Sequence, residues 1–238
     1  MNISISIISI SRAKNYIYNT VGSVMHDDPV PVQIFVGNRN LEYLNCYLRS
    51  PLVTLKTPDP LDKWWESKSL RVKSVWNYWR ALSFSRDADY LLMMEDDVEL
   101  ARGWRDLIEK ALPLAKETPI TLYAPDSSDT RSVKFTFPRE AYNKGEVITP
   151  YPMPKFYGTQ AMIYSRATRK ELATFFRKNL DNEDSRPIDW LVRDFFIQKG
   201  CGILCTAPVI AQHMGFETTG LAGRCHQSDC YISDVRKN

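Results

Sequence analysis

From Tyr90 to Leu100 the chain reads YLLMMEDDVEL, a run of apolar and aromatic side chains that ends in three consecutive carboxylates, Glu95, Asp96 and Asp97. The apolar run reads as a buried strand, so its charged end is the point around which the rest of the chain must be arranged. Three adjacent anions repel one another, and apolar surroundings make each more costly. Such a cluster needs a cation, hydrogen-bond donors or open water to offset it. Hard oxygen ligands suit Mg²⁺ or Mn²⁺, which commonly bind through one or two carboxylates while a substrate phosphate fills other positions. The same three residues would also serve as an acidic turn capping a following helix. The motif alone leaves both readings open.

Upstream, residues 3–10 alternate isoleucine with serine and read as a strand, residues 14–24 as a helix, and residues 30–36 (VPVQIFV) as a second strand closed by Gly37 and Asn38. A β-α-β opening demands parallel strands with a right-handed crossover, and ligands then collect at the carboxyl ends of the strands. Residues 50–62, with Pro51, Pro58 and Pro60, read as a loop. Over 69–83 the residues Val72, Val75, Trp76, Trp79 and Leu82 fall at helical spacing, which predicts an amphipathic helix with its tryptophans in the core. Arg71 and Lys73 lie near its start, where helix dipole and side-chain charge both attract phosphate. A solvated basic helix end is the plainer use of either residue.

Downstream, the pattern predicts a helix over 104–116 and a short strand over 121–124. Residues 125–154 are rich in proline, glycine and charge, with Lys134, Arg139, Lys144 and Lys155 among or beside them. They read as a hairpin or mobile flap suited to acceptor contacts. Residues 157–164 (YGTQAMIY) read as a central strand in which Gly158 lets another backbone or a sugar ring approach closely. A helix over 166–178 follows. Pro187 opens another helix running to about 199, with Asp189 at its positive end. That placement favours the ionised carboxylate, the form a general base must have, although from position alone helix capping is the better account. A strand over 202–206 and a loop-rich tail over 208–223 carrying His213 complete the pattern.

With 238 residues, 44% hydrophobic and 25% charged, the chain has the composition of a single soluble α/β domain. A formal net charge of +3 is too small to imply nucleic acid and is compatible with a phosphate-bearing small molecule. The N-terminus has no basic segment before its apolar residues, so it does not read as a signal peptide. Apolar runs fall short of the roughly 20 residues a membrane helix requires. A soluble, cytoplasmic protein is the expectation. Five cysteines, Cys46, Cys201, Cys205, Cys225 and Cys230, cannot all pair internally, which favours reduced thiols. The last four lie near His213 and His226, yet their spacing is not that of a standard zinc motif. Buried thiols or one local disulfide are the alternatives.

Three segments in order, YLLMMEDDV, PIDWLVRDF and QHMGFETTGLAG, resemble the catalytic domain of N-acetylglucosaminyltransferase IV, which carries a similar PIDWLL helix, QHVG tail and LEDD strand end. The helix around Lys73 to Leu82 occupies the place of that family's KQNLDY helix. The resemblance covers roughly residues 1–231 and is weakest in the flap. It implies a GT-A fold, a Rossmann-like and mostly parallel sheet flanked by helices, as one domain over 1–238. Residues 1–124 would bind a nucleotide sugar, and residues 125–238, with a flap over 125–155, the acceptor. It further implies an inverting transferase that uses UDP-N-acetylglucosamine and Mn²⁺ or Mg²⁺ to glycosylate a glycan hydroxyl.

Carried over by residue, Asp97 resembles the metal ligand and His213 a second ligand or diphosphate contact. Glu95 and Asp96 would meet the ribose and donor sugar, with Arg71, Lys73, Ser11 and Arg12 counted among the donor-binding residues. Asp189 resembles the general base. Animal members carry a membrane anchor before this domain and a lectin-like domain after it, and this chain shows neither, so the acceptor stays open. Two other readings stand beside this one. The first is a nucleotide-sugar or glycan-binding module without catalysis. The second is a DNA-modifying glycosyltransferase of a mobile element, for which binding to duplex DNA would be salt-sensitive.

Overall fold

A computed structural model describes residues 2–10, 14–37, 40–58, 67–84, 87–125, 136–180, 186–215 and 227–237. The chain opens with strand β1 (Ile3–Ser9), helix α1 (Ile17–Val24) and strand β2 (Val32–Val36), and β1 and β2 pair in parallel with Ile5 opposite Val32. The stretch 50–62, expected as a loop, contains strand β3 (Val53–Lys56), parallel to β2. Pro51 and Pro58 bracket this strand without interrupting it, and β3 lies at a sheet edge, where nearby prolines are tolerated.

Helix α2 (Leu70–Phe84) matches its expected bounds within a residue, and Val72, Val75 and Leu82 of the expected face are buried, but the two tryptophans are not fully so. Val72, Val75, Tyr78 and Leu82 are buried together with Asn77 and Arg80, whereas Trp76 and Trp79 are half-buried on the flanks. The Arg80 guanidinium lies 4.5 Å from the Trp76 ring centroid while its Nη2 donates to the Thr57 carbonyl at 2.6 Å. Aromatic cover on one side and a carbonyl on the other let this cation sit inside.

Strand β4 (Tyr90–Glu95) follows, then β5 (Val98–Leu100), helix α3 (Trp104–Ala115), β6 (Ile120–Thr121), helix α4 (Phe137–Asn143) and β7 (Ile148–Pro150). The rest comprises β8 (Ala161–Ser165), helices α5 (Arg166–Lys178) and α6 (Ile188–Gln198), β9 (Leu204–Thr206) and β10 (Ala211–His213). Ser165 caps α5 by accepting from the Thr168 amide at 3.2 Å. In the segment expected as a flap, residues 126–135 lie outside the described part, Lys134 among them. The described remainder is ordered into α4 and β7, and β7 pairs antiparallel with β9.

One eight-stranded sheet runs in the order β3-β2-β1-β4-β8-β6-β9-β7. β1 to β4 are mutually parallel, β8 is antiparallel to both β4 and β6, and β9 resumes the direction of β6. Helices α1 and α3 cover one face through Ile17, Val21, Trp104 and Ile108. Helices α2, α5 and α6 cover the other through Tyr78, Phe176, Leu191 and Phe195. Outside this sheet, β5 and β10 form a two-stranded antiparallel pair. Among the described residues no helix is long and apolar enough to cross a membrane.

Candidate active site

Because β1 has β2 on one side and β4 on the other, the chain's crossovers diverge there, and a crevice opens at the carboxyl ends of these strands. The three acids emerge at that edge and part company. Asp96, 2% exposed, turns back onto β1, where its Oδ2 accepts from Ser9 Oγ at 2.7 Å and from the Ile10 amide at 3.2 Å. Thr20 Oγ1, on α1, donates to the Asp96 carbonyl at 2.8 Å. Charged acceptors make the stronger hydrogen bonds, so this carboxylate ties the ends of β1 and β4 together.

Asp97 turns towards the tail. Strand β10 pairs with β5 so that His213 stands opposite Val98, and His213 Nε2 lies 3.0 Å from Asp97 Oδ2. Donor atoms of Glu95, Asp97 and His213 all fall within 4.8 Å of one another. The backbone beyond the histidine is shaped to the same carboxylate. The Met214 amide donates to the Asp97 carbonyl at 2.7 Å, and a Cβ on Gly215 would stand 2.3 Å from Asp97 Oδ2. A larger residue there would have to push the Asp97 carboxylate aside. Two carboxylates and one imidazole converging at a strand end suit a divalent ion, so the donor set fits the metal that the sequence led one to expect. Sequence reasoning placed Glu95 with Asp96 as donor contacts; the geometry instead groups Glu95 with Asp97 and His213.

Asp189 occupies the first turn of α6, 8% exposed. Burial pushes its carboxyl up to about 6, while the Trp190 amide, its own amide and the Arg193 guanidinium pull the other way. The helix end was expected to favour the ionised form. Desolvation outweighs it, because the helix dipole acts on a group that water no longer reaches. Tyr78, wholly buried on α2, feels both Glu95 and Asp189, and its hydroxyl lies 2.7 Å from that of Tyr164. Tyr78 therefore lies within electrostatic reach of both the acid cluster and Asp189.

Arg71 is exposed and Lys73 half-buried in the first turns of α2. Ser11 and Arg12, Cys225 and His226 lie outside the described residues. Arg139, Lys144 and Lys155 are exposed. Cys205 and Cys230 are buried, and Cys46 and Cys201 exposed. Among the described residues, Glu95, Asp97 and His213 form the grouping able to hold a metal. Gly158 serves a backbone contact, since a Cβ there would meet the Tyr123 carbonyl at 3.1 Å. Sequence reasoning missed Ser9, Tyr78 and Gly215. Of these only Gly215 left a signal, the glycine two residues after His213.

The sheet order, the helices on both faces and the separate antiparallel pair bearing the third candidate ligand define a GT-A fold. Among solved structures, the chain is similar to that of GalNAc-T7 with UDP, GalNAc and Mn²⁺, with a TM-score of 0.63 at 14% sequence identity. The match covers 94% of this chain and 44% of that one, so this chain spans less than half the length of its structural neighbour. No family model and no curated protein matches the sequence.

Proposed function

We propose that this protein is a metal-dependent glycosyltransferase that takes a UDP-sugar, UDP-N-acetylglucosamine first among them, and passes the sugar to a glycan hydroxyl with inversion, in the manner of the N-acetylglucosaminyltransferase IV family. One observation carries the reading: Glu95, Asp97 and His213 converge at the carboxyl end of β4 in a GT-A fold. The neighbour with UDP, GalNAc and Mn²⁺ supports the donor class and the cofactor.

Glu95, Asp97 and His213 would hold the ion, and the imidazole makes Mn²⁺ a better match than Mg²⁺. The chemistry such a cation would supply is Lewis-acid stabilisation of the negative charge that develops on the leaving group. The chain's own residues supply the rest. Asp96 fixes the floor of the crevice through Ser9 and Ile10. Arg71, Lys73, Ser11 and Arg12 are the proposed contacts to the donor. Asp189 is the proposed base, accepting the proton of the acceptor hydroxyl as that oxygen bonds to the anomeric carbon. The bond to the diphosphate oxygen breaks on the opposite face, and its electron pair leaves with UDP. Residues 1–124 would thus hold the nucleotide and residues 125–238 the acceptor.

The test is donor hydrolysis. A panel of UDP-sugars incubated with Mn²⁺ should show turnover of at least one donor by mass spectrometry, and Asp97→Ala should abolish it. Neither turnover nor metal-dependent binding with any donor, together with an unaltered Asp97→Ala protein, would overturn the proposal.

A further inference from the structure

Residue Gln160 lies directly across the β4–β8 ladder from Glu95, whose amide donates to the Gln160 carbonyl at 2.9 Å. The register running from Tyr90 opposite Ser165 to Met94 opposite Ala161 brings the two to the same position. Cross-strand partners project from the same face of a sheet. Here that face is the one carrying Met93, Met162 and Tyr164 and covered by Tyr78 of α2 and Leu191 of α6, so Gln160 stands beside Glu95 on the side covered by α6, the helix that bears Asp189. The side chain is 7% exposed, yet its Oε1 finds no hydrogen-bond partner, and its carboxamide bonds to none of the described residues. Buried carbonyl oxygens in native proteins are nearly always paired, and one left over beside a reaction centre calls for a ligand.

The residues around it narrow the ligand. On one side are the carboxylates proposed to hold the cation and its diphosphate; on the other is the proposed base. In the proposed reaction the transferred sugar ring would lie between them. A carboxamide offers an acceptor and a donor in one plane, and the group complementary to it is another amide.

We propose that Gln160 recognises the acetamido group of the donor sugar, its Oε1 accepting from the acetamido N–H and its Nε2 donating to the acetamido carbonyl. The inference rests on the glycosyltransferase reading and names the feature of the donor that this site selects. Gln160 acts as a specificity residue: a plain hexose leaves its carboxamide unsatisfied, and an acetamido sugar does not.

Calorimetric titration with UDP, UDP-glucose and UDP-N-acetylglucosamine in the presence of Mn²⁺ tests it. The wild-type protein should bind the acetamido donor about tenfold or more tightly than UDP-glucose, the scale of a hydrogen-bonded pair. Gln160→Met, matched in length and checked for a cooperative melt, should bring the two donors to near equality while UDP itself binds as before. Gln160→Asn, which withdraws the amide by one methylene, should also erode the preference. An undiminished preference in both variants, or no preference in the wild type, overturns the assignment and leaves the transferase reading standing. Failure of the wild type to bind UDP in the presence of Mn²⁺ overturns both.

Discussion

At the scale of single residues, Asp189 sets the sharpest expectation. Its carboxyl is raised from 3.8 to about 6 by burial, so the folded state favours the protonated form. A carboxyl raised on folding contributes stability that is fully present below its unfolded value and is lost as pH rises through its folded value. The window therefore runs from about pH 4 to about pH 6. Above it the ionised group costs about 3 kcal/mol, from about 1.4 kcal/mol for each unit of a shift of roughly two. Asp189→Asn should raise the thermal midpoint at pH 8 and leave it unchanged near pH 4. In the same variant transfer should vanish while donor binding survives. In the wild type, transfer should fall about tenfold for each pH unit below 6, as expected of a base that must be ionised. A flat pH profile, or lost donor affinity in Asp189→Asn, would count against its role.

Gly215 gives a second expectation at this scale. With 2.3 Å between a would-be Cβ and Asp97 Oδ2, Gly215→Ala must displace either the carboxylate or the tail. Mn²⁺ affinity measured by calorimetry should drop about tenfold or more, as it does when a ligand's support is removed from a metal site, with a smaller effect on the melting temperature.

Among the elements, β1 and β4 are joined at their ends by Ser9 and Asp96. Removing the hydroxyl in Ser9→Ala leaves a buried carboxylate short of a donor, which should cost about 2 kcal/mol in urea unfolding, the scale of a hydrogen bond to a charged group. What the sequence made legible follows the strength of local pattern. The helix over 166–178 and the strand into Glu95 agreed closely, because long periodic or apolar runs carry their own signal. The strand Val53–Lys56 was hidden by its bracketing prolines, and β5 and β10 by their length of three residues each. Their pairing is decided by distant partners, not by neighbours. For the same reason the tryptophans of α2 were placed too deep, though Val72, Val75 and Leu82 are buried as expected. Spacing pointed to Trp76 and Trp79, whereas Asn77 and Arg80 turn inward because the ends of β2 and β3 present carbonyls at Phe35 and Thr57. The candidate ligands Asp97 and His213 were legible as residue types at particular places. The burial that raises Asp189 was not, since desolvation comes from whatever covers a residue.

For the molecule as a whole, two carboxylates and an imidazole whose donor atoms lie within 4.8 Å of one another form a set that a divalent cation would bind in the folded state only. Mn²⁺ should therefore stabilise the entire fold, by about 2.7 kcal/mol at a hundredfold excess over its dissociation constant, and UDP should add to that. Differential scanning calorimetry should show the gain in the wild type and none in Asp97→Ala. An equal gain in both would place the ion elsewhere. The antiparallel pair has a consequence for biosynthesis, because Asp97 and the imidazole it faces are separated by 116 positions. A nascent chain emerging from the ribosome makes both acids long before the histidine. Until β10 zips onto β5, such a chain would offer an ion two carboxylates and nothing more, so a metal held by all three side chains would be captured only after that pairing.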